Sequence, residues 1–148
     1  MTDQNSIKYV LLHADSMVPS RGTDGSVGYD LYSYVDITIL PGKRHVIGTG
    51  IAIEMPKPVN NIVIGAKIMS RSGLAKRCVD VAAGLIDNDY RGEIKVMLFN
   101  SGIAEFHIEK NMRIAQLVFQ EFLVLQFIEC DQLSSTERGA GGFGSTGV

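Results

Sequence analysis

The chain has 148 residues, 45% of them apolar and 20% charged, with a formal net charge of -2. That length suits one domain with a core of its own, and the balance is that of a soluble globular protein rather than a disordered one. A slightly acidic chain does not hold nucleic acid by blanket electrostatics. No apolar run is long enough to suggest a membrane span, and the polar stretch Met1 to Ser6 has no secretory-signal character.

The apolar pattern repeats every second residue far more often than every 3.6. Ile51, Ile53 and Met55 alternate with Ala52 and Glu54. Ile62, Ile64, Ala66 and Ile68 alternate with Val63, Gly65 and Lys67, and Ile94, Val96 and Leu98 with Lys95, Met97 and Phe99. Phe122 and Val124 continue the habit. Such alternation sends one set of side chains to one face of a strand. Around Leu98 and Phe99 both sets are apolar, so both faces are candidates for burial. Pro41-Gly42-Lys43, Pro56 to Asn61, Asp89-Tyr90-Arg91-Gly92 and Asn100-Ser101-Gly102 carry turn chemistry. The one helix expected is a short piece near Leu74 to Arg77. Many short strands at this spacing predict a sandwich or jelly roll.

Cys78 and Cys130 lie far apart without CxxC spacing and read as free, mostly buried thiols of an intracellular protein. His13, His45 and His107 are scattered, and none pairs with a cysteine at zinc spacing. The last segment, Arg138 to Val148, reads RGAGGFGSTGV. Gly-rich ends are commonly frayed tails. Glycines also expose backbone N–H groups that wrap phosphate oxygens, and Arg138 and Phe143 stand out as isolated specific side chains. Both readings are open on physics alone.

Five segments stand out in order: Gly28-Tyr29-Asp30-Leu31, Arg71-Ser72-Gly73-Leu74-Ala75, Gly84-Leu85-Ile86-Asp87-Asn88-Asp89-Tyr90-Arg91-Gly92, Arg113-Ile114-Ala115-Gln116-Leu117, and the tail. Together they resemble the ordered motifs of the trimeric dUTP diphosphatase family, from about Gly25 to Val148. GLID-x-DYRG and RG-x-GGFGSTG are the most specific pieces. The resemblance implies an all-β jelly roll over residues 1–137, a flexible Gly-rich C-terminal arm over 138–148, and a homotrimer with shared active sites. It also implies hydrolysis of dUTP to dUMP and pyrophosphate, which keeps uracil out of DNA and supplies dUMP for thymidylate synthesis.

The implied roles follow residue by residue. Asp87 matches the carboxylate that orients and deprotonates the attacking water, since water is a poor nucleophile without a base; outside the motif, Asp87 would read as a turn-capping aspartate. Tyr90 matches the ring that packs on the deoxyribose and rejects a 2′-hydroxyl. The backbone of Gly84, Leu85 and Ile86, with that of Lys95, matches the hairpin that reads uracil through N–H and C=O groups. Arg71, Ser72 and Gly73 match a phosphate clamp, in which the guanidinium fork suits phosphate oxygens. Ser70 stands where relatives often carry proline. Gln116 matches a residue that helps hold the water and the α-phosphate, and Arg113 one that supports fold or tail. Asp30 is expected in the water shell of Mg²⁺, with a framework role behind the phosphates as the alternative. Arg138 matches the residue that reaches the γ-phosphate and Phe143 the ring that stacks on uracil. Gly144, Ser145 and Thr146 lie where the phosphates would be met. The implied metal is held mainly by triphosphate and waters. Two rival readings are a dCTP deaminase of the same fold and a non-catalytic nucleotide-binding regulator. The reaction is expected inside the cell, in cytoplasm or nucleus, without nucleic-acid or membrane partners.

Overall fold

Alternating apolar residues form eleven strands among the residues described by the structure, a computed structural model that describes residues 6–142. They are β1 (Lys8–Leu11), β2 (Tyr29–Tyr32), β3 (Ile37–Ile39), β4 (Arg44–Gly48), β5 (Ile51–Glu54), β6 (Ile62–Met69), β7 (Val79–Ala83), β8 (Leu85–Ile86), β9 (Lys95–Asn100), β10 (Phe106–Ile108) and β11 (Arg113–Leu123). Every strand pairing is antiparallel. The strands make four small sheets, ordered β2-β11-β6-β8, β4-β9-β7, β1-β5 and β10-β3. The fold is all-β, as expected for a jelly roll.

Isoleucine, leucine and valine fill the interior. Leu31, Ile39, Ile47, Ile51, Ile94 and Leu98 are almost wholly buried, and each such side chain contributes roughly 1.5–3 kcal/mol on leaving water. Buried Asn100 closes the turn after β9 from within. Its amide donates to the Ile39 carbonyl (2.9 Å) and the Ala104 carbonyl (2.8 Å), while its side-chain oxygen accepts the Gly102 N–H (3.0 Å). This satisfies a polar group that burial would otherwise penalise.

The loops fall where turn residues predict them. The helix α1 spans Ser72–Ala75, slightly earlier than Leu74 to Arg77, because the Arg71 carbonyl accepts both the Leu74 and Ala75 N–H groups (2.9 Å each). Two expectations need correction. Both cysteines are exposed rather than buried: Cys78 occupies a left-handed turn after α1 (φ 60°), and Cys130 lies in the exposed stretch beyond β11. The β6 alternation buries Ala66 and Ile68, but Ile62 is exposed and Ile64 only half-buried. Burial fades at that end of the antiparallel ribbon, where β6 pairs with the exposed last residues of β11.

Candidate active site

The candidate residues fall into two groups. The first is the turn that follows β8. Gly84 approaches β6 so closely that a Cβ there would sit 2.5 Å from the Ile68 carbonyl oxygen, while the Gly84 carbonyl accepts the Ile68 N–H (2.7 Å). Glycine is therefore required, and it sets the path of Leu85 and Ile86, which pair with Lys67 and Ala66. Asn88 pins the turn to the body: its amide donates to the carbonyls of Pro56 and Ile64, both at 2.8 Å. Within the turn, the Tyr90 N–H donates to the Asp87 carbonyl (3.1 Å), and Arg91 donates to the carbonyls of Asn88 (2.7 Å) and Tyr90 (3.0 Å).

The Tyr90 ring folds over Gly92, where a Cβ would meet the ring carbon Cζ at 2.6 Å. Its hydroxyl donates to the Glu93 carbonyl (3.1 Å). Leu85, Ile86, Asp87, Tyr90, Glu93 and Lys95 line one cleft of about 190 Å³. The Asp87 carboxylate is exposed and makes no side-chain hydrogen bond or ion pair among the described residues, so its lone pairs face solvent.

The second group is gathered by the order β2-β11-β6, where Gln116 stands opposite Asp30 on one side and Met69 on the other. Asp30 is largely buried and takes one arginine on each oxygen: Arg71 Nε at 3.0 Å and an Arg113 guanidinium nitrogen at 3.3 Å. Arg71 also donates to the Arg113 carbonyl (3.2 Å). Charge-assisted contacts of this kind fix guanidinium orientation. The Gln116 amide donates to the Ser70 carbonyl (3.3 Å), and its oxygen lies against Gly28, where a Cβ would come within 2.6 Å. Ser72 is exposed, and a Cβ on Gly73 would meet nothing within 4 Å, so packing within one protomer does not require glycine there.

The cleft beside Asp87 is lined by none of Asp30, Arg71, Ser72, Gly73 or Gln116. Arg138 is exposed and donates to the Gly141 carbonyl (3.0 Å). Phe143, Gly144, Ser145 and Thr146 lie outside the described residues. Among the described residues, no three of His, Cys, Asp or Glu stand together as a metal-binding set. Asp30 has both oxygens on arginines, and Asp87 is a lone exposed carboxylate. This donor set fits a divalent ion carried by its own phosphate and water ligands rather than a protein cage.

Sequence reasoning missed three contributors. Ser70 holds β7 through its hydroxyl, which accepts the Val81 N–H (2.9 Å), as well as holding Gln116 through its carbonyl. Asn88 lies inside the motif, where its amide anchors the turn. Glu93 lies in the cleft itself. A small polar residue beside a motif was the only available signal for Ser70, and none marked Glu93.

A family model described as dUTPase matches residues 14–147. The chain belongs to the dUTPase family. Its reaction is the hydrolysis of dUTP to dUMP and pyrophosphate, which sets the deaminase reading aside. The chain is 41% identical over 148 residues to a deoxyuridine 5'-triphosphate nucleotidohydrolase of Cowpox virus (strain GRI-90 / Grishak), covering 100% of this chain and 97% of that one. It is 44% identical over 144 residues to the enzyme of that name from Nautilia profundicola, covering 95% and 98%. Among solved structures it resembles a dUTPase of Staphylococcus bacteriophage 80alpha with dUPNHPP, with a TM-score of 0.84 and 26% identity over 97% of this chain and 99% of that one. The dUTPase motifs thus sit on a matching dUTPase fold.

Proposed function

We propose that this chain hydrolyses dUTP by in-line attack of a water on the α-phosphorus, with Asp87 as the base. The observation that carries the reading is the unpaired Asp87 carboxylate in one cleft with Tyr90. A base needs free lone pairs within reach of water, and Asp87 has them. Gln116 orients the water and the α-phosphate. Arg71 neutralises phosphate charge, held by Asp30 as a framework carboxylate rather than as a metal-shell ligand. Ser72 adds a hydroxyl, and the open space at Gly73 supports close approach of a ligand. Mg²⁺ enters with the substrate as Mg–dUTP and supplies charge neutralisation at the phosphates.

The backbone of Leu85 and Ile86, with that of Lys95, reads the uracil edge. Cytosine presents the reversed donor and acceptor pattern at N3 and C4, and each buried polar group left unpaired costs about 1–3 kcal/mol. The Tyr90 ring meets the sugar and excludes a 2′-hydroxyl.

The complete site belongs to a homotrimer, and residues 138–148 form the arm that closes it. Support comes from the lining of the cleft beside Asp87, to which Arg71 and Gln116 do not contribute, and from the stretch after β11. There Leu125, Phe127 and Ile128 stand 73%, 107% and 83% exposed, a series of apolar side chains that another copy would cover. In the arm, Arg138 reaches the γ-phosphate, Phe143 stacks on uracil, and Gly144, Ser145 and Thr146 meet the phosphates. The two free thiols support an intracellular setting, and no described helix is long and apolar enough to cross a membrane.

A panel of dUTP, dTTP, dCTP and UTP with Mg²⁺, read by pyrophosphate release, tests the reading. Only dUTP should turn over well. Equal rates on UTP and dUTP would contradict the role of Tyr90, and turnover of dCTP would contradict the hairpin.

A further inference from the structure

Glu93 carries more contacts than a residue just beyond a turn needs. One oxygen of its carboxylate accepts the Gly50 N–H at 2.9 Å. Gly50 sits at φ 72°, in the left-handed region that favours glycine. Gly48 leaves the channel the carboxylate occupies, since a Cβ there would stand 2.5 Å from the same oxygen. The other oxygen pairs with the Lys95 ammonium at 3.6 Å, and the side chain is only 22% exposed. A carboxylate held this far from water is kept by the partners that satisfy it.

The main chain around Glu93 is tied down as well. The Ile94 N–H donates to the Ile51 carbonyl (2.8 Å), and the Thr49 hydroxyl donates to the Ile94 carbonyl (2.6 Å). The Glu93 carbonyl is the acceptor for the Tyr90 hydroxyl (3.1 Å). The turn from Gly48 to Gly50 therefore connects through Glu93 to the tyrosine ring.

We propose that Glu93 is a positioning residue for sugar discrimination. Its carboxylate locks onto the Gly48–Gly50 turn, fixes the carbonyl that holds the Tyr90 hydroxyl, and so fixes the ring that excludes a 2′-hydroxyl. The proposal rests on the role given to Tyr90 above. Excluding a single hydroxyl demands a ring held to within about 0.5 Å, which a supporting shell of hydrogen bonds supplies. Lys95 neutralises the Glu93 carboxylate where a polyanionic substrate approaches, and so limits repulsion in the cleft.

The test is the ratio of kcat/KM for dUTP to that for UTP, with Tm measured alongside, in the wild type, Glu93→Ala, Glu93→Gln and Tyr90→Ala. Glu93→Ala should lower the ratio about tenfold, chiefly through faster UTP turnover, as expected when a misplaced group loosens a site. Glu93→Gln keeps an acceptor for the Gly50 N–H and should hold the ratio within about twofold of wild type. A purely structural role would lower Tm and slow both substrates together, leaving the ratio unchanged. An unchanged ratio in Glu93→Ala beside a collapsed ratio in Tyr90→Ala overturns the proposal and leaves the tyrosine reading intact. An unchanged ratio in Tyr90→Ala removes the tyrosine reading and the proposal with it. Should Glu93→Ala fail to fold, Gly48→Ala crowds the same carboxylate at a site without positive φ. It should shift the ratio in the same direction, and an unchanged ratio there overturns the proposal.

Discussion

At the scale of single residues, the candidate site divides into charged groups held by protein partners and groups that face solvent. Asp30 is held: two arginines occupy its two oxygens. The Asp87 carboxylate has no partner among the described residues, and it sits on a turn anchored by Asn88. Replacing Asp87 with asparagine keeps the volume and removes the proton acceptor. We expect kcat to fall by at least ~100-fold with KM little changed; near-normal turnover would remove Asp87 from the reaction. Gly84 shows the opposite constraint. Adding a methyl there drives it into the Ile68 backbone, which cannot move as a side chain can. Gly84→Ala should therefore cost about 1–3 kcal/mol of stability and raise KM for dUTP, because the same strand segment carries the backbone proposed to read the base. A variant with wild-type Tm and KM would show that β6 yields at that point.

At the scale of elements, the strands were legible because alternation is a local property of the sequence. Val96 and Leu98 face the core and Lys95 and Met97 turn away from it, as their spacing predicts. What covers each face is a tertiary property, and there the sequence was silent. Ile62 keeps the correct period and is still exposed, because it lies at the end of the β6–β11 ribbon where both strands lose burial. Cysteine is an apolar residue by composition, so burial was the natural expectation, yet Cys78 stands in a left-handed turn at the surface.

Elements are also tied by contacts that no motif announces. Lys110, between β10 and β11, pairs with Asp15 at 2.6 Å, and the Tyr34 hydroxyl donates to Asp15 at 2.9 Å. His13 stacks on Tyr34 at 4.2 Å, which fastens the segment after β1 to the turns around β2 and β11. The Lys110 ammonium, followed by the Tyr34 hydroxyl, holds Asp15 below its ordinary value of 3.8, and Asp15 holds Lys110 above 10.5. A depressed carboxylate stabilises the fold above its unfolded value, and that contribution disappears as pH falls through the folded value. A raised ammonium stabilises below its unfolded value and loses this as pH rises through the folded one. Asp15→Asn should thus lower Tm slightly at neutral pH, since the pair is exposed and screened. The gap to wild type should close well below pH 3.8 and again above pH 10.5. A gap of constant size down to strong acid would assign the loss to packing instead.

At the scale of the whole molecule, the motifs name the candidate residues, while their grouping within one protomer is set by the fold. Asp87, Tyr90, Arg71 and Gln116 stood out as candidates because each lies in a motif that resembles those of the family. That Asp87 and Tyr90 share a cleft which Arg71 and Gln116 do not line depends on sheet order, which spacing along the chain does not encode. Ser70, Asn88 and Glu93 act through side-chain hydrogen bonds to backbone atoms distant in sequence, so these contacts are not marked locally.

The proposed trimer answers this arrangement: a site complete only when the cleft of one protomer meets the Arg71 and Gln116 cluster of another. Mixing two inactive variants tests this most directly. Asp87→Asn carries an intact clamp, and Arg71→Ala carries an intact cleft. Co-refolded in equal amounts, head-to-tail sharing around a ring leaves about one quarter of sites with both parts intact, so roughly that fraction of wild-type activity should return. If each protomer builds its own site, every site keeps one defect, and a mixture as inactive as its two components would contradict the shared-site account.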